Sequence, residues 1–420
     1  MNLSIRVTGT LAGTALVAGT LAASGPSAAA DDVNVAPVRT IQGPTHTQLR
    51  QPLGMYVRGG QIHVSNFGAS SILVFDLNAD GDVPPKRRIA GATSLVSSPR
   101  TVAADSAGFT WVTSASSAPA GNRVLSFRAT ATGNVAPASR FDPGFVPFGV
   151  AIDKNDKVNV SNEADTIKVF SRSATGTPAA ERTIKSTHLS NARGLAVDAA
   201  NRLWVANGDG DSVVAFAPGA TGNAAPARVI KGSQTQIQFA TDVALDASGR
   251  VYVADHRARD VKVFAAHANG NVAPIKVLGG AAAALTSPAG VAVAPDGTVV
   301  VADYDGHDVS SFAPLFAPPK PAVKVPSKPR ALKVSGTARA KTRKVSWRPP
   351  SNKGGAKITG YRLVVKKGNK VLLRKNVGAS KRSYKIKRAK LRKGKLTVYV
   401  KAKNSKGYGK NAKATFRVRK

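Results

Sequence analysis

Short apolar runs alternate with Gly-, Asn- and Asp-containing turns through most of the chain, and the alternation is periodic. Three copies read G-L-A-V-D-A-A-N-R-L-W-V-A-N from Gly194, D-V-A-L-D-A-S-G-R-V-Y-V-A-D from Asp242 and G-V-A-V-A-P-D-G-T-V-V-V-A-D from Gly290. Weaker copies start at Gly54, Thr101 and Gly149, and successive starts lie 45 to 48 residues apart. Short β-branched runs bounded by turn residues predict strands, not helices. Each copy has three such runs and then a fourth of the form A-P-x-R-x-I. Four strands in that length fit one propeller blade.

In the fourth copy the expected strands are a at 194–197, b at 203–206, c at 212–216 and d at 227–230. A-A-N-R, A-S-G-R and P-D-G-T predict tight a–b hairpins, and A-T-G-N, A-N-G-N and A-D-G-D predict c–d hairpins, because Gly and Asn tolerate positive φ. Strand c ends in Phe75, Phe127, Phe170, Phe216, Phe264 and Phe312, which are expected to pack between blades. The fourth run appears at 85–89, 137–141, 180–184, 226–230 and 274–278. A sixth copy, at 37–41, precedes the first blade and none follows the last. The N-terminus is therefore expected to supply the outer strand of the final blade, and so to close a six-bladed ring whose sheet edges would otherwise be open.

The repeat resembles that of NHL-type β-propellers, which carry a similar G-V-A-V-D-x-x-G-x-V-Y-V-A-D run. The resemblance covers residues 34–316, inside an expected propeller at 31–316, and implies the fold. It implies little about function, since related propellers serve as binding platforms, lactonases and lyases. Residues 330–420 resemble a fibronectin type III domain. Val345-Ser346-Trp347 before Pro349-Pro350, Ile358-Thr359-Gly360-Tyr361, and Val398-Tyr399-Val400-Lys401-Ala402-Lys403-Asn404 with Gly407 and Gly409 carry that likeness. Leu396 stands where that family has its corner tyrosine, which implies a weaker corner hydrogen bond. The Pro-rich segment 317–329 between the two is expected to be a semi-rigid linker. The whole chain is thus expected to be all-β, a propeller followed by an immunoglobulin-like sandwich.

Residues 1–30 have the form of a secretory signal peptide, with Arg6, an apolar stretch at 11–23 and Ala28-Ala29-Ala30 before Asp31. The apolar stretch falls short of the ~20 residues of a membrane span, and no transmembrane segment is expected. The absence of cysteine excludes a lipoprotein anchor and disulfides. These features predict a secreted, extracellular protein, associated with the cell surface non-covalently if at all.

Charge changes the picture most. Residues 319–420 hold 35 of the 61 Lys and Arg and none of the 23 Asp and Glu. Lys385, Lys387, Arg388, Lys390, Arg392, Lys393 and Lys395 form one dense run. Lys401, Lys403, Lys413, Arg417 and Arg419 alternate with apolar residues and point outward from strands. A surplus far above the ~2–8 of a small soluble domain repels itself unless an anion offsets it. An anionic polymer is the expected partner: a wall polymer, an acidic polysaccharide or nucleic acid.

The propeller's chemistry is sparser. Asp76 to Val83 starts like a calcium loop, but Arg87 occupies the place of the bidentate Glu, and the segment aligns with the c–d hairpins. His63 shares its slot with Trp111, Asn159, Trp204, Tyr252 and Val300, which marks a packing position. Asp105, Asp153, Asp198 and Asp246 open a–b hairpins as turn caps. The b–c loops open with Asn66, Ser114, Asn162, Asn207, Asp255 and Asp303. All of these but Ser114, with His256 and His307, mark a ligand face for a protein or glycan. Neither metal nor cofactor is expected; the alternative is a metal held by His256, His307, Asp255 and Asp303 in a lyase, lactonase-like or carbohydrate-active enzyme. No G-x-S-x-G, phosphate loop or thiol is present. The expectation is a monomeric, non-catalytic binding or adhesion protein.

Overall fold

The computed structural model describes residues 31–115, 121–316 and 323–419. The expected signal peptide and the first part of the expected linker lie outside them. The chain divides into two compact units, Met1–Pro318 and Pro319–Lys420. Among the described residues the only helices are single 3-10 turns, so none is long and apolar enough to cross a membrane.

The first unit is a ring of six antiparallel sheets. Its innermost strands a are Pro52–Arg58, Pro99–Ala104, Pro147–Ile152, Ala192–Val197, Ala240–Leu245 and Pro288–Val293. In the fourth blade, strands b, c and d follow at Leu203–Asn207, Ser212–Phe216 and Arg228–Lys231, within a residue of the expected bounds. Strand a there starts two residues earlier than expected. The six strand-c phenylalanines are all buried. They bridge consecutive blades, as Phe264 does in the cluster with Trp204, Val213 and Ile230.

The glycine that opens the repeat serves close approach. A Cβ at Gly149 would stand 2.1 Å from the Arg193 carbonyl oxygen, and one at Gly194 2.1 Å from Asp242 Oδ1. Without side chains there, strands a converge on a channel of about 440 Å3 lined by Met55, Val102, Val150, Leu195, Val243 and Val291.

The ring closes through the N-terminus, at two places. Arg39–Ile41 pairs antiparallel with Val309–Ser311 as strand d of the sixth blade. Asp31–Val33 runs parallel to Lys276–Leu278 of the fifth. Between them, Asn34 Oδ1 accepts the Ala282 N–H at 2.8 Å. Asn134 does the same for Thr93, Asn271 for Gln234 and Asp82 for His46. Asp31 to Ile41 thus replaces both the missing strand and one side of the missing c–d hairpin. The calcium-like segment is one of these hairpins: Gly81 bridges to Ile41 as Gly133, Gly176 and Gly270 bridge to their preceding blades. Asp76 there bonds Lys86, Asp80 the Thr40 N–H and Asp82 the 45–47 backbone.

The second unit is a sandwich. Arg330–Ser335, Thr342–Arg348 and Ser383–Lys387 form one sheet. The other contains Gly360–Lys367, Lys370–Gly378, Gly394–Asn404, Gly407–Tyr408 and Ala412–Val418. Alternate residues enter one core with Trp347, Tyr361, Leu363, Leu396, Val398 and Phe416. The linker expected to run to Pro329 is shorter. Lys324 N–H donates to Gly354 O and Ser327 N–H to Asn352 O, so the chain is bound to the sandwich from Lys324 onward.

Candidate functional site

The residues that open the b–c loops do not face a ligand. Asn66 accepts the Arg50 N–H at 2.6 Å and donates to Gln48 O and Ser71 Oγ. Asn207 repeats this with Ser190, His188 and Ser212. Asp255 accepts the Gln238 and Phe239 N–H groups at 2.8 and 2.9 Å, and Asp303 those of Thr286 and Ser287. All four side chains are buried. Each satisfies backbone donors where the d–a connection turns into the next strand, which any unpaired buried amide requires. Asn162 is half-buried and caps its own loop through Ala164 and Thr166. As ligand-presenting groups these five are therefore corrected to loop caps.

The histidines also separate. His307 is exposed and its Nδ1 accepts the Gln51 N–H at 3.0 Å. His256 is half-buried, edge-on to Phe239, and burial pushes its pKa down. Among the described residues no three His, Asp or Glu side chains gather as metal ligands. Asp255 and Asp303, as caps, are not free to coordinate alongside them. His63 is buried as its slot predicts, stacked on Tyr56 at 4.3 Å, with its pKa lowered to about 3 chiefly by burial. The hairpin aspartates cap as expected. Asp198 accepts from Ala200 and Arg202 backbone, and its other oxygen accepts the Trp204 indole N–H.

What gathers at the b–c end of the channel comes from the residue preceding the repeat glycine. Phe148 packs with Leu53 and Ala289 and floors the mouth. Arg193 lies between two rings, 4.1 Å from the Phe148 centroid and 5.2 Å from that of Phe239. Arg100 also lies over Phe148, at 5.0 Å, and Arg257 over Phe239 at 4.4 Å. Guanidinium and phenyl groups thus alternate across four blades, each contact favourable through the ring quadrupole. Glu163 joins Arg100 at 2.6 Å and Arg193 at 3.2 Å. Tyr304 and Phe67, from the remaining blades, complete the rim. Sequence reading overlooked this group because its members are far apart in the chain. The available signal was the position before the glycine, which holds five different residue types in the six copies, Arg occurring twice.

One ionisable group lies deeper. Asp242 takes the glycine slot of the fifth blade, and its carboxylate accepts the Val243 and Val291 N–H groups at 2.9 and 3.1 Å. Burial outweighs these bonds and raises its pKa to about 7. The folded protein therefore holds a proton that the unfolded chain has released, so stability from this group is full below about pH 4 and is lost as pH rises through 7. Asp242→Asn is expected to be more stable than the native chain at pH 8 by on the order of 2 kcal/mol, with a smaller difference at pH 5. Urea unfolding at the two pH values checks this; equal differences would mean the carboxyl is ionised throughout.

The basic residues of the second unit divide between its two outer faces. Lys385 and Lys387 lie on the three-stranded sheet. Lys395, Lys401 and Lys403 lie on Gly394–Asn404, and Lys413 and Arg417 on Ala412–Val418, in the other sheet. Lys390, Arg392 and Lys393 stand near the connection between the sheets. Arg388 is half-buried and donates to Arg339 O and Arg419 O, so it is tied to the fold beside Arg419. Arg362 and Tyr408 were missed. Arg362 lies over the Tyr408 ring at 4.3 Å, with Lys401 at 4.9 Å and Lys403 at 5.6 Å.

Comparison with known proteins agrees with this architecture. Residues 327–418 match the fibronectin type III domain model and residues 285–312 the NHL repeat model. No curated protein matches the chain in sequence. Similar solved structures include a protein of unknown function from Bacteroides caccae (13% identity, 57% of this chain and 85% of that one, TM-score 0.43). A catalytically inactive virginiamycin B lyase from Staphylococcus aureus with quinupristin is similar at 12% identity, over 74% of this chain and 96% of that one, TM-score 0.44. The WD40 β-propeller domain of Doa1 is similar at 11% identity, over 66% and 96%, TM-score 0.45. With the strand pairing above, the chain is an NHL-like six-bladed β-propeller followed by a fibronectin type III domain.

Proposed function

We propose that this is an exported, non-catalytic binding protein whose type III domain attaches to an anionic surface polymer while the propeller presents its b–c face to a ligand. One observation carries the reading. In a domain without a single carboxylate side chain, cations face each other directly across strands: Lys344 opposite Lys385, Arg362 opposite Lys401, and Lys395 opposite Arg417. Like charges in such positions destabilise a sheet. A bound polyanion removes that repulsion, and wall polymers, acidic polysaccharides and nucleic acid all present the required charge density.

Attachment of this kind releases counterions, so it weakens steeply with salt. Binding of the full chain to polygalacturonate, teichoic acid and single-stranded DNA is expected at low salt. With six or more charges engaged on the single-stranded DNA, affinity falls about 300-fold or more between 50 and 200 mM salt. Titration at several salt concentrations tests this. Binding to none of the three at low salt, or affinity indifferent to salt, would sink the reading.

A further inference from the structure

The six copies of the repeat agree where they pack and cap, and disagree around the b–c mouth. Every copy ends strand c in Phe, yet the position before the repeat glycine slot holds Leu53, Arg100, Phe148, Arg193, Thr241 and Ala289. The second b–c loop residue is different in each: Phe67, Ala115, Glu163, Gly208, His256 and Tyr304. A ring built only for stability has no need of such asymmetry. Here it yields a cationic arc, the Arg100, Arg193 and Arg257 ladder, and opposite it an aromatic and aliphatic arc where Phe67 and Tyr304 pack over Leu53 and Ala289.

The arginines are under-supplied with acceptors. Arg100 and Arg193 share one glutamate, and the buried Nε–H of each has no partner among the described residues. The nearby acids are engaged elsewhere: Asp209 with Asn191, and Asp305 with Ser287. A guanidinium offers five donors in a planar fork suited to a carboxylate. Glu163 is itself a carboxylate on those two forks, and so shows which chemistry they accept.

We propose that the mouth binds a carboxylate-bearing ligand with a flat apolar portion. Its acid group engages Arg100 and Arg193 alongside or in place of Glu163, and its ring lies against Phe67 and Tyr304. This rests on the proposed role of the b–c face and names the chemistry it takes.

The test uses the full chain in about 0.3 M salt, where attachment through the tail is screened. Galacturonate, benzoate and inorganic phosphate are titrated by calorimetry. Both carboxylates are expected to bind and phosphate to bind more weakly. Arg193→Gln and Arg100→Gln are each expected to weaken carboxylate binding by ~10-fold or more through loss of a charge-assisted bond; two variants are used in case one misfolds. Glu163→Gln is expected to tighten it by removing the internal competitor, an effect that a purely structural Glu163 would not produce. Retention of every variant on a single-stranded DNA column, which carries no carboxylate, should stay that of the native chain. Failure of both carboxylates to bind the native and Glu163→Gln chains, preference for phosphate, or weaker binding by Glu163→Gln overturns the proposal. Because a DNA column offers the mouth no carboxylate, its retention reads the tail, and that failure would leave the polyanion reading standing.

Discussion

A chain lacking residues 31–43 is expected to lose on the order of 5 kcal/mol or more, a large part of the ~5–15 kcal/mol that holds a typical domain folded. Two ladders disappear, one against Val309–Ser311 and one against Lys276–Leu278. Ladder bonds contribute about 1 kcal/mol each. Ile41, almost fully buried against Ile62, Leu73 and Val309, adds about 2–3 kcal/mol on the usual scale of side-chain burial. The Asn34 cap is lost as well. The sixth blade is then left with strand c as an open edge, which favours association between chains. Thermal unfolding of the truncated and full chains, with light scattering for aggregation, checks this. Ile41→Ala alone should cost about 2–5 kcal/mol by leaving a cavity. Equal melting temperatures for the truncated and full chains would mean that the N-terminus does not hold the ring together.

That closure was largely legible, and the reason is physical. Repetition displays each blade several times over, so a surplus fourth strand at one end with none at the other has one place to go. Asn34 went unread, although N-V-A-P at 34–37 repeats N-V-A-P at 134–137 and 271–274; the half-hairpin it marks has no strand signal of its own. The candidate site was less legible. Reading polar loop openers as a face pointed to the end of the ring where the proposed site lies, but to side chains that cap loops. Asn66, Asn207, Asp255 and Asp303 are polar because buried amides need acceptors, and that need is the same in nearly every blade. The proposed site lies where the copies differ, and Arg100, Glu163 and Arg193 come from three consecutive blades, brought together by packing between blades and not by proximity in the chain. Alternation within single strands gave the outward cations of the second unit correctly. Their division between two faces depends on strand pairing, which alternation does not contain.

The fifth and sixth blades pose a paired experiment in electrostatics. In each, the aspartate that caps the d–a connection faces a second aspartate across the hairpin: Asp255 opposite Asp260, and Asp303 opposite Asp308. The fifth blade places Lys262 between them, with Nζ 3.0 Å from Asp255 and 2.7 Å from Asp260. The sixth has Ser310 at that position, and there burial, with Asp303 beside it, raises the Asp308 pKa to about 6. Lys262→Ser therefore gives the fifth blade the arrangement of the sixth. Removing one member of a buried ion pair typically costs about 3–5 kcal/mol, because the remaining charge is left without compensation. Burial already raises the Asp260 pKa, and Lys262 works against that rise, so the variant raises it further. A carboxyl raised above its unfolded value contributes stability that is present at low pH and lost as pH rises through the folded value. The deficit of Lys262→Ser relative to the native chain should accordingly be largest at pH 8 and shrink toward pH 5, as Asp260 takes up a proton. Adding Asp260→Asn to Lys262→Ser should recover part of the loss at pH 8 and little at pH 5. Chemical unfolding of the three chains at both pH values decides the matter. A deficit independent of pH would assign the loss to packing of the lysine stem and not to its charge.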